Sequence, residues 1–552
     1  MDLISIDIET YSDVDLLDCG VYRYVDSPNF EILLFAYSYN YGKVRIIDFT
    51  KETIPPKLAD LLLDPNVIKT AYNANFERVC LARYLGIDLK IEQWSCTAVL
   101  ASTLGLPPKL GQVAEALGFP DDKKKSTKGK VLIKYFCVPC KPSKTNRERT
   151  RNLPEHAPEK WEDFKSYCIQ DVVVENEIRN KLAKYDLADF EKRLYALDQR
   201  INDKGIKADI VIAHNAIECS KLVTNELLKQ ATELTGINNP NSVAQIKAWL
   251  LSEADLEVES LNKKALPGIL NDLKDDEKAL SLMAIRAEIS KTSIKKYDAI
   301  VRSICKDGNI CGLLKFCGAG RTGRWSGSIL QVQNLKKTDD DFEEYIVDAR
   351  HMVKNSQYDA IEVMYGSTQK VLSQLIRSTL IPDTECKFII SDFSAIEARV
   401  LAWLASERWR MEVFATHGKI YEASASQMFK VPLASIDKKS PLRQKGKVAE
   451  LACIAEGQLI LTDTGLIPVE KVEKSHKLWD GIEWVSHEGV IYKGEREVIT
   501  YYGLTATRDH KIYTTLYGAM DFGCAAHMRA RPVETGSGEL NYKISDCIKI
   551  KY

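Results

Sequence analysis

Several absences narrow the possibilities before any motif is read. No run of about 18 apolar residues occurs, so a membrane-spanning helix is not expected. The opening MDLISIDIET has no basic n-region and is acidic within seven residues, so a secretory signal peptide is not expected. There is no excess of either charge: 76 Lys and Arg against 77 Asp and Glu leave a net charge of −1. That excludes a basic tail protein and an acidic solvating one, but not nucleic-acid binding, because binding charge can be local. The 14 cysteines show no disulfide or zinc framework and read as reduced, intracellular thiols. Cys137-x-x-Cys140 has no second pair at a matching distance, so it reads as two incidental thiols beside a Pro-rich loop. No internal repeat and no long low-complexity linker is present. What remains is 552 residues, 45% hydrophobic and 28% charged, enough core for three or four domains at about 150 residues each.

The segment Leu3 to Thr10 alternates apolar and polar residues and predicts a strand. Asp7 and Glu9, two apart, then share a face. Two carboxylates on one face each favour protonation of the other unless a cation lies between them, and all-oxygen ligands suit Mg²⁺ or Mn²⁺. Ala71-Tyr72-Asn73-Ala74-Asn75-Phe76-Glu77 follows a strand-like Val67 to Thr70 and opens a helix. Trp161 to Leu182 predicts a helix carrying Tyr167 and Asp171 four apart on one face. From Asp121 to Arg151, eleven Lys and Arg stand against three acids. That run is either a solvated loop or a patch that tracks phosphates of a single strand.

The order DIET, NANFE, YCIQD resembles the three motifs of DnaQ-like 3′–5′ exonucleases. The resemblance implies an α/β, RNase H-like domain in which carboxylates hold two metal ions and a Tyr positions the attacking water. Asp7, Glu9 and Asp171 match the metal ligands, and Tyr167 matches the Tyr. The second motif usually ends in Asp; here Glu77 stands there, with a longer arm.

Residues 186 to 302 read as helices with short breaks, one of them Val243 to Leu250 capped by the Asn239-Pro240-Asn241-Ser242 turn. After it come Gly318-Ala319-Gly320-Arg321-Thr322-Gly323-Arg324-Trp325-Ser326 and Gln331-Val332-Gln333-Asn334. Glycines allow close backbone approach to a phosphate chain, and Arg, Gln and Asn can read groove acceptors. Lys387 to Ile390 predicts an apolar strand running into Asp392, with a helix from about Ala395. Arg443 and Lys447, four apart on a further predicted helix, put two cations on one face suited to a triphosphate.

Together these segments resemble phage-type family A DNA polymerases, the bacterial DNA polymerase I kind. The resemblance implies a helical thumb over 186–315, an α/β palm over 316–415 and partial helical fingers over 416–452, following the exonuclease at 1–185. Arg321, Arg324, Gln333 and Asn334 match primer–template contacts. Asp392 matches the palm carboxylate that holds both catalytic metals, Glu397 the residue that shapes the sugar pocket, and Arg443 and Lys447 the nucleotide-binding helix. That helix should continue to a Gly-Tyr pair, and a His-Asp-Glu tripeptide should follow. The helix breaks after Ala452, and no His-Asp-Glu occurs anywhere in the chain.

From Cys453 the pattern becomes strand-like, with turns at Asp463-Thr464-Gly465, Trp479-Asp480-Gly481 and Tyr492-Lys493-Gly494. Cys453-Ile454-Ala455-Glu456-Gly457 resembles the first block of an intein, and Thr505 to His510 its Thr-x-x-His block. The resemblance implies an all-β Hint-type module over 453–552. Cys453 would be the nucleophile, His510 the acid for the departing amide, and Thr507 would help hold the strained bond. No terminal His-Asn block is present, which resembles the N-terminal part of a split intein. A chain cut short by cloning is the competing explanation.

The expectation is a multidomain precursor fragment of a proofreading, phage-encoded DNA polymerase in the cytoplasm of a bacterial host. Its partners are primer–template DNA, dNTPs and a second chain carrying the intein C-fragment and the remaining fingers and palm. The alternatives are an autonomous 3′–5′ exonuclease with a vestigial polymerase region and inert tail, or a non-catalytic DNA clamp.

Overall fold

Alternation dictates the first element. In β1 (Asp2–Tyr11), Ile4, Ile6 and Ile8 are buried in one core, and Ser5, Asp7, Glu9 and Tyr11 face the other side. The computed structural model describes residues 2–120, 129–262, 265–289, 294–320, 322–437, 440–451, 459–468, 471–479, 484–486, 499–501, 504–506, 511–514 and 518–521. The chain divides into two units, residues 1–388 and 389–552.

In the first unit β1 joins β2 (Glu31–Tyr39), β3 (Arg45–Asp48), β4 (Val67–Ala71) and β5 (Trp94–Cys96) in the order β3-β2-β1-β4-β5. β2 runs antiparallel to β1, with Asp7 opposite Ala36 and Glu9 opposite Leu34, and the register shifts between Glu9 and Thr10. β4 and β5 run parallel to β1 and need a crossover. The helix Ala74–Leu85 supplies it. It ends on Gly86, whose φ of 69° is the left-handed conformation a helix stop favours. One face of the sheet packs Ile4, Ile6, Ile8 and Phe35 against Leu81 and Trp94. The other packs Leu34 and Ala36 against Phe136 of the helix Gly129–Phe136 and Trp161 and Phe164 of the helix Pro158–Leu182.

The next stretch is helical, as its pattern predicts, over Asp189–Lys204, Ile210–Thr235, Val243–Ala254, Leu266–Asp272, Glu277–Ile289 and Lys295–Ser303. Ser242 caps its helix by accepting from the Gln245 amide at 3.4 Å. Three short strands lie outside that expectation: Ile206–Ala208 pairs with Asn309–Ile310 on one side and with Leu380–Ile381 on the other, both antiparallel. Two- and three-residue strands are shorter than any periodicity can reveal. The buried Tyr297 hydroxyl donates to the Leu372 carbonyl at 2.6 Å and ties this core together. It is joined to the sheet domain at Asp203, which pairs with Arg78 (2.5 Å) and accepts from the Tyr22 hydroxyl at 2.6 Å.

The second unit holds the helices Ile396–Leu404, Arg408–Thr416, Ile420–Phe429 and Pro441–Leu451. Gly446 lets the last two approach closely, since a β-carbon there would stand 2.0 Å from the Tyr421 carbonyl oxygen. Strands follow, among them the hairpin Leu459–Thr462 with Gly465–Pro468, closed by Asp463 and Thr464, and the pair Leu478–Trp479 with Trp484–Val485. The expected turn at Tyr492 to Gly494 lies outside the described residues. The predicted strand before Asp392 is corrected: residues 386–393 form no strand. The composition favours extended structure, but no strand among the described residues pairs with it, and an unpaired strand is not stable alone. No helix among the described residues is long and apolar enough to cross a membrane.

Candidate active site

The first carboxylate set assembles on one face of β1. Asp7 and Glu9 come from the strand, Glu77 from the first turn of the helix Ala74–Leu85, and Tyr167 and Asp171 from successive turns of the helix Pro158–Leu182. Glu9, Glu77, Tyr167 and Asp171 are all buried. Asp7 acts on both Glu77 and Tyr167. Burial first, then the charge of Asp7, push the Glu77 carboxyl well above the ordinary carboxylate range. Burial, followed by the charges of Asp171, Glu9 and Asp7, raises the Tyr167 hydroxyl, which also hydrogen-bonds to Asp171. Glu77 Oε2 is buried with no hydrogen-bond partner among the described residues.

This donor chemistry suits a hard divalent cation. Carboxylates that hold one another protonated are relieved by positive charge between them, and oxygen ligands select Mg²⁺ or Mn²⁺ over softer ions. Geometrically, among the described residues, no three His, Cys, Asp or Glu side chains stand close enough together to hold an ion. The carboxylates share one field without converging on one point.

Several neighbours escaped the sequence reading. The Cys168 thiol lies 3.4 Å from Asp7 Oδ2, and burial, then Asp7 and Glu9, raise its pKa. The Cys137 thiol lies 3.8 Å from Glu9 Oε2 and is likewise raised by burial, then by Glu9. The Cys140 thiol instead donates to the Arg149 carbonyl at 3.2 Å. Glu175, one turn beyond Asp171, accepts from Thr97, and Arg179 reaches Ser95 at 2.8 Å. The spacing of Glu175 from Asp171 was a readable signal; the thiol contacts span 128 and 161 residues and were not. Gly129 packs against the Tyr167 ring so tightly that a β-carbon there would fall 2.1 Å from a ring carbon.

From the basic segment, Arg151 pairs with Glu31 at 2.5 Å and lies 3.7 Å over the Tyr11 ring. It lines a cavity of about 610 Å³ with Lys51, Phe136, Asn152 and Trp161, and with Glu31, Glu155 and Glu162 opposing their charge. Residues 121–128 of that segment lie outside the described residues.

The Gly/Arg segment forms a hairpin, Leu314–Ala319 with Arg324–Gly327. Arg324 is exposed on its second strand, and Gln333 and Asn334 are exposed in the turn Val332–Asn334. Gly327 lets the chain turn closely beside them, since a β-carbon would stand 2.8 Å from the Gln331 Cα. The Trp325 indole donates to Asp198 at 2.8 Å, and burial pushes the Asp198 carboxyl up to about 6.

In the second unit Asp392 is exposed on the unpaired segment, and Glu397 is exposed in the first turn of the helix Ile396–Leu404. Arg443 and Lys447 sit on the helix Pro441–Leu451 as predicted. Lys447 is exposed, whereas Arg443 pairs with the buried Glu422 at 2.7 Å and stacks near Tyr421. No spacing pointed to Glu422. Arg321, Cys453, Thr507 and His510 lie outside the described residues.

Residues 215–455 match the family model described as DNA polymerase family A. The chain is 52% identical over 460 residues to the DNA polymerase of Bacillus phage SP02, covering 83% of this chain and 70% of that protein. It is also similar to the solved POL domain of Pol1 from M. smegmatis, in complex with DNA primer-template and dNTP. That match has 17% identity and a TM-score of 0.49 and covers 81% of this chain and 67% of the other.

Proposed function

The chain belongs to DNA polymerase family A, and from that premise we propose that it is the N-terminal precursor fragment of a proofreading replicative polymerase, ending in an intein N-fragment. The observation that carries this reading is where the family match stops. It ends at residue 455, two residues past Cys453, and the helix Pro441–Leu451 gives way to strands from Leu459.

The sheet order β3-β2-β1-β4-β5 and the carboxylates on β1 support an RNase H-like 3′–5′ exonuclease. By their chemistry Asp7, Glu9 and Asp171, with Glu77, would hold divalent ions, Mg²⁺ or Mn²⁺, once drawn closer together than they stand here. Such ions neutralise charge on the scissile phosphate and lower the pKa of a bound water. Tyr167, buried and hydrogen-bonded to Asp171, is held to orient the attacking water.

For polymerisation, Arg321, Arg324, Gln333 and Asn334 contact primer–template DNA, Asp392 is a metal ligand, and Glu397 selects the sugar. Arg443 and Lys447 bind the dNTP. The second palm carboxylate is to come from another chain. Cys453 attacks the Ala452 carbonyl; the bond from that carbonyl to the Cys453 nitrogen breaks as His510 protonates the nitrogen, leaving a thioester. Thr507 supports the strained peptide.

The test mixes this chain with a partner bearing an intein C-fragment and the remaining polymerase. A ligated product of larger mass is expected, and Cys453→Ala eliminates it. No ligation with any partner encoded in the same genome sinks the splicing reading. A second reading is an autonomous exonuclease with a vestigial polymerase region. The burial of Glu9, Glu77 and Asp171 in one unit favours it, and polymerisation only after ligation removes it.

A further inference from the structure

Two strands alone do not hold a fixed shape in water, and the hairpin Leu314–Ala319 with Arg324–Gly327 is a two-stranded pair whose register shifts between Lys315 and Ala319. What steadies it comes from outside, from one face of the helix Asp189–Lys204. Tyr195, Asp198 and Asn202, three and four residues apart, share that face and are buried. The Phe316 ring stands edge-on to Trp325 at 5.2 Å and packs beside Tyr195 at 5.9 Å. Asn202 accepts from the Leu314 amide at 2.9 Å and donates to the Leu314 carbonyl at 3.0 Å, which fixes the start of the first strand. Asp198 Oδ1 accepts from the Trp325 indole at 2.8 Å, which fixes the second.

A buried carboxylate adds little stability, because the cost of burying charge offsets its bonds. What it adds is direction, since a buried polar network whose members are all bonded holds one arrangement. Asp198 is 1% exposed, and its Oδ2 accepts from Gln199 at 3.0 Å and from Asn202 at 3.2 Å. Both oxygens are therefore occupied, and Asn202 carries the same network to Leu314. Successive residues of a strand point to opposite faces. Holding the Trp325 indole on Asp198 therefore turns Arg324 away from the helix, and Arg324 is exposed.

We infer that Asp198 is a positioning residue for DNA binding: through the Trp325 indole it sets where Arg324 meets the duplex. This rests on the reading that Arg324 contacts primer–template DNA. Asp198 itself, buried behind the hairpin, touches no DNA. Neither residue signals this role in the sequence, because the bond joins positions 127 residues apart.

The test uses the full-length chain and a fluorescent primer–template duplex, in chelator so that nothing is degraded. Arg324→Ala should weaken binding about tenfold, the size of one lost contact to a base edge. Trp325→Phe keeps a ring against Phe316 but removes the indole N–H, and should weaken binding about fivefold, the size of one hydrogen bond. Asp198→Ala should do the same, and Asp198→Asn, which still offers an oxygen to the indole, should recover most of the loss. Added to Arg324→Ala, neither Trp325→Phe nor Asp198→Ala should weaken binding further, because both act through that arginine. A purely structural role would give additive losses. In the free chain, Trp325→Phe should speed amide hydrogen exchange across residues 314–327 and leave the β1–β5 sheet unchanged. That readout stands even if Asp198→Ala fails to fold. Unchanged exchange, additive losses, or wild-type binding by Trp325→Phe while Arg324→Ala binds weakly overturns the proposal and leaves the DNA reading intact. Wild-type binding by Arg324→Ala removes the DNA reading, and the positioning role with it.

Discussion

The two carboxylate sets differ in how much of each site one stretch of chain supplies. Around Asp7 the partners come from β1, the helix after β4 and the helix Pro158–Leu182, within the first 182 residues, and Glu9, Glu77 and Asp171 are buried. Around Asp392 the backbone pairs with no strand among the described residues, and the flanking side chains are exposed. The first set creates a demand for cations, because burial and then the charge of Asp7 raise the Glu77 carboxyl. Asp392 stands exposed on a segment that pairs with no strand among the described residues. The difference teaches that a motif specifies residues, whereas a site requires the elements that surround them.

The comparison breaks most sharply at Asp7. Asp7→Ala should reduce Mg²⁺-dependent 3′–5′ degradation of single-stranded DNA by the chain alone at least about a hundredfold, beyond the loss from removing an outer partner of a metal ligand. Asp392→Asn should leave that rate unchanged. Equal rates for Asp7→Ala and wild type would remove the exonuclease assignment.

Next in size is Gly129→Ala. Its β-carbon would meet the Tyr167 ring, so the helix Gly129–Phe136 or the ring must shift. Overpacking of this kind costs about 1–3 kcal/mol, and a lower urea midpoint together with slower degradation is expected. Full activity with wild-type stability would mean the ring can move freely and does not orient water.

In the second unit, Arg443→Ala leaves the buried Glu422 without its 2.7 Å partner. The expected loss is about 1–2 kcal/mol, read in the unfolding of that unit alone. Arg443→Lys should recover part of it. A silent Arg443→Ala would free this residue for a purely nucleotide-binding role.

The smallest effect has an informative sign. The Glu77 pKa is raised in the folded chain, so its contribution is fully present below the unfolded value and lost as pH rises through the folded one. In chelator, Glu77→Gln should therefore raise Tm on the alkaline side. Added Mg²⁺ should stabilise wild type more than the variant. The opposite order would mean that burial and the charge of Asp7 do not disfavour the charged form of Glu77.

Much of the first site was legible because its physics is local. Alternation over Leu3 to Thr10 located β1 and put Asp7 and Glu9 on one face, and a four-residue spacing put Tyr167 with Asp171. What could not be read joins distant positions: Cys168 to Asp7, Cys137 to Glu9, Arg443 to Glu422. The run before Asp392 shows the converse limit. Its composition favours a strand, yet a strand exists only where another offers its edge.

The strand Ile206–Ala208 holds Asn309–Ile310 on one side and Leu380–Ile381 on the other, and this has a consequence for synthesis. The β1–β5 sheet and its covering helix are complete in sequence by Leu182, so that domain can fold while the ribosome is still translating. The middle region cannot close until Leu380 emerges. That wait spans roughly 200 further residues, about 10–40 s at ordinary elongation rates. During it the helix Ile210–Thr235 must persist without the buried contacts that later hold it. The newborn chain thus passes through a stage with a finished sheet domain and an open middle region, when chaperones and proteases have their best access.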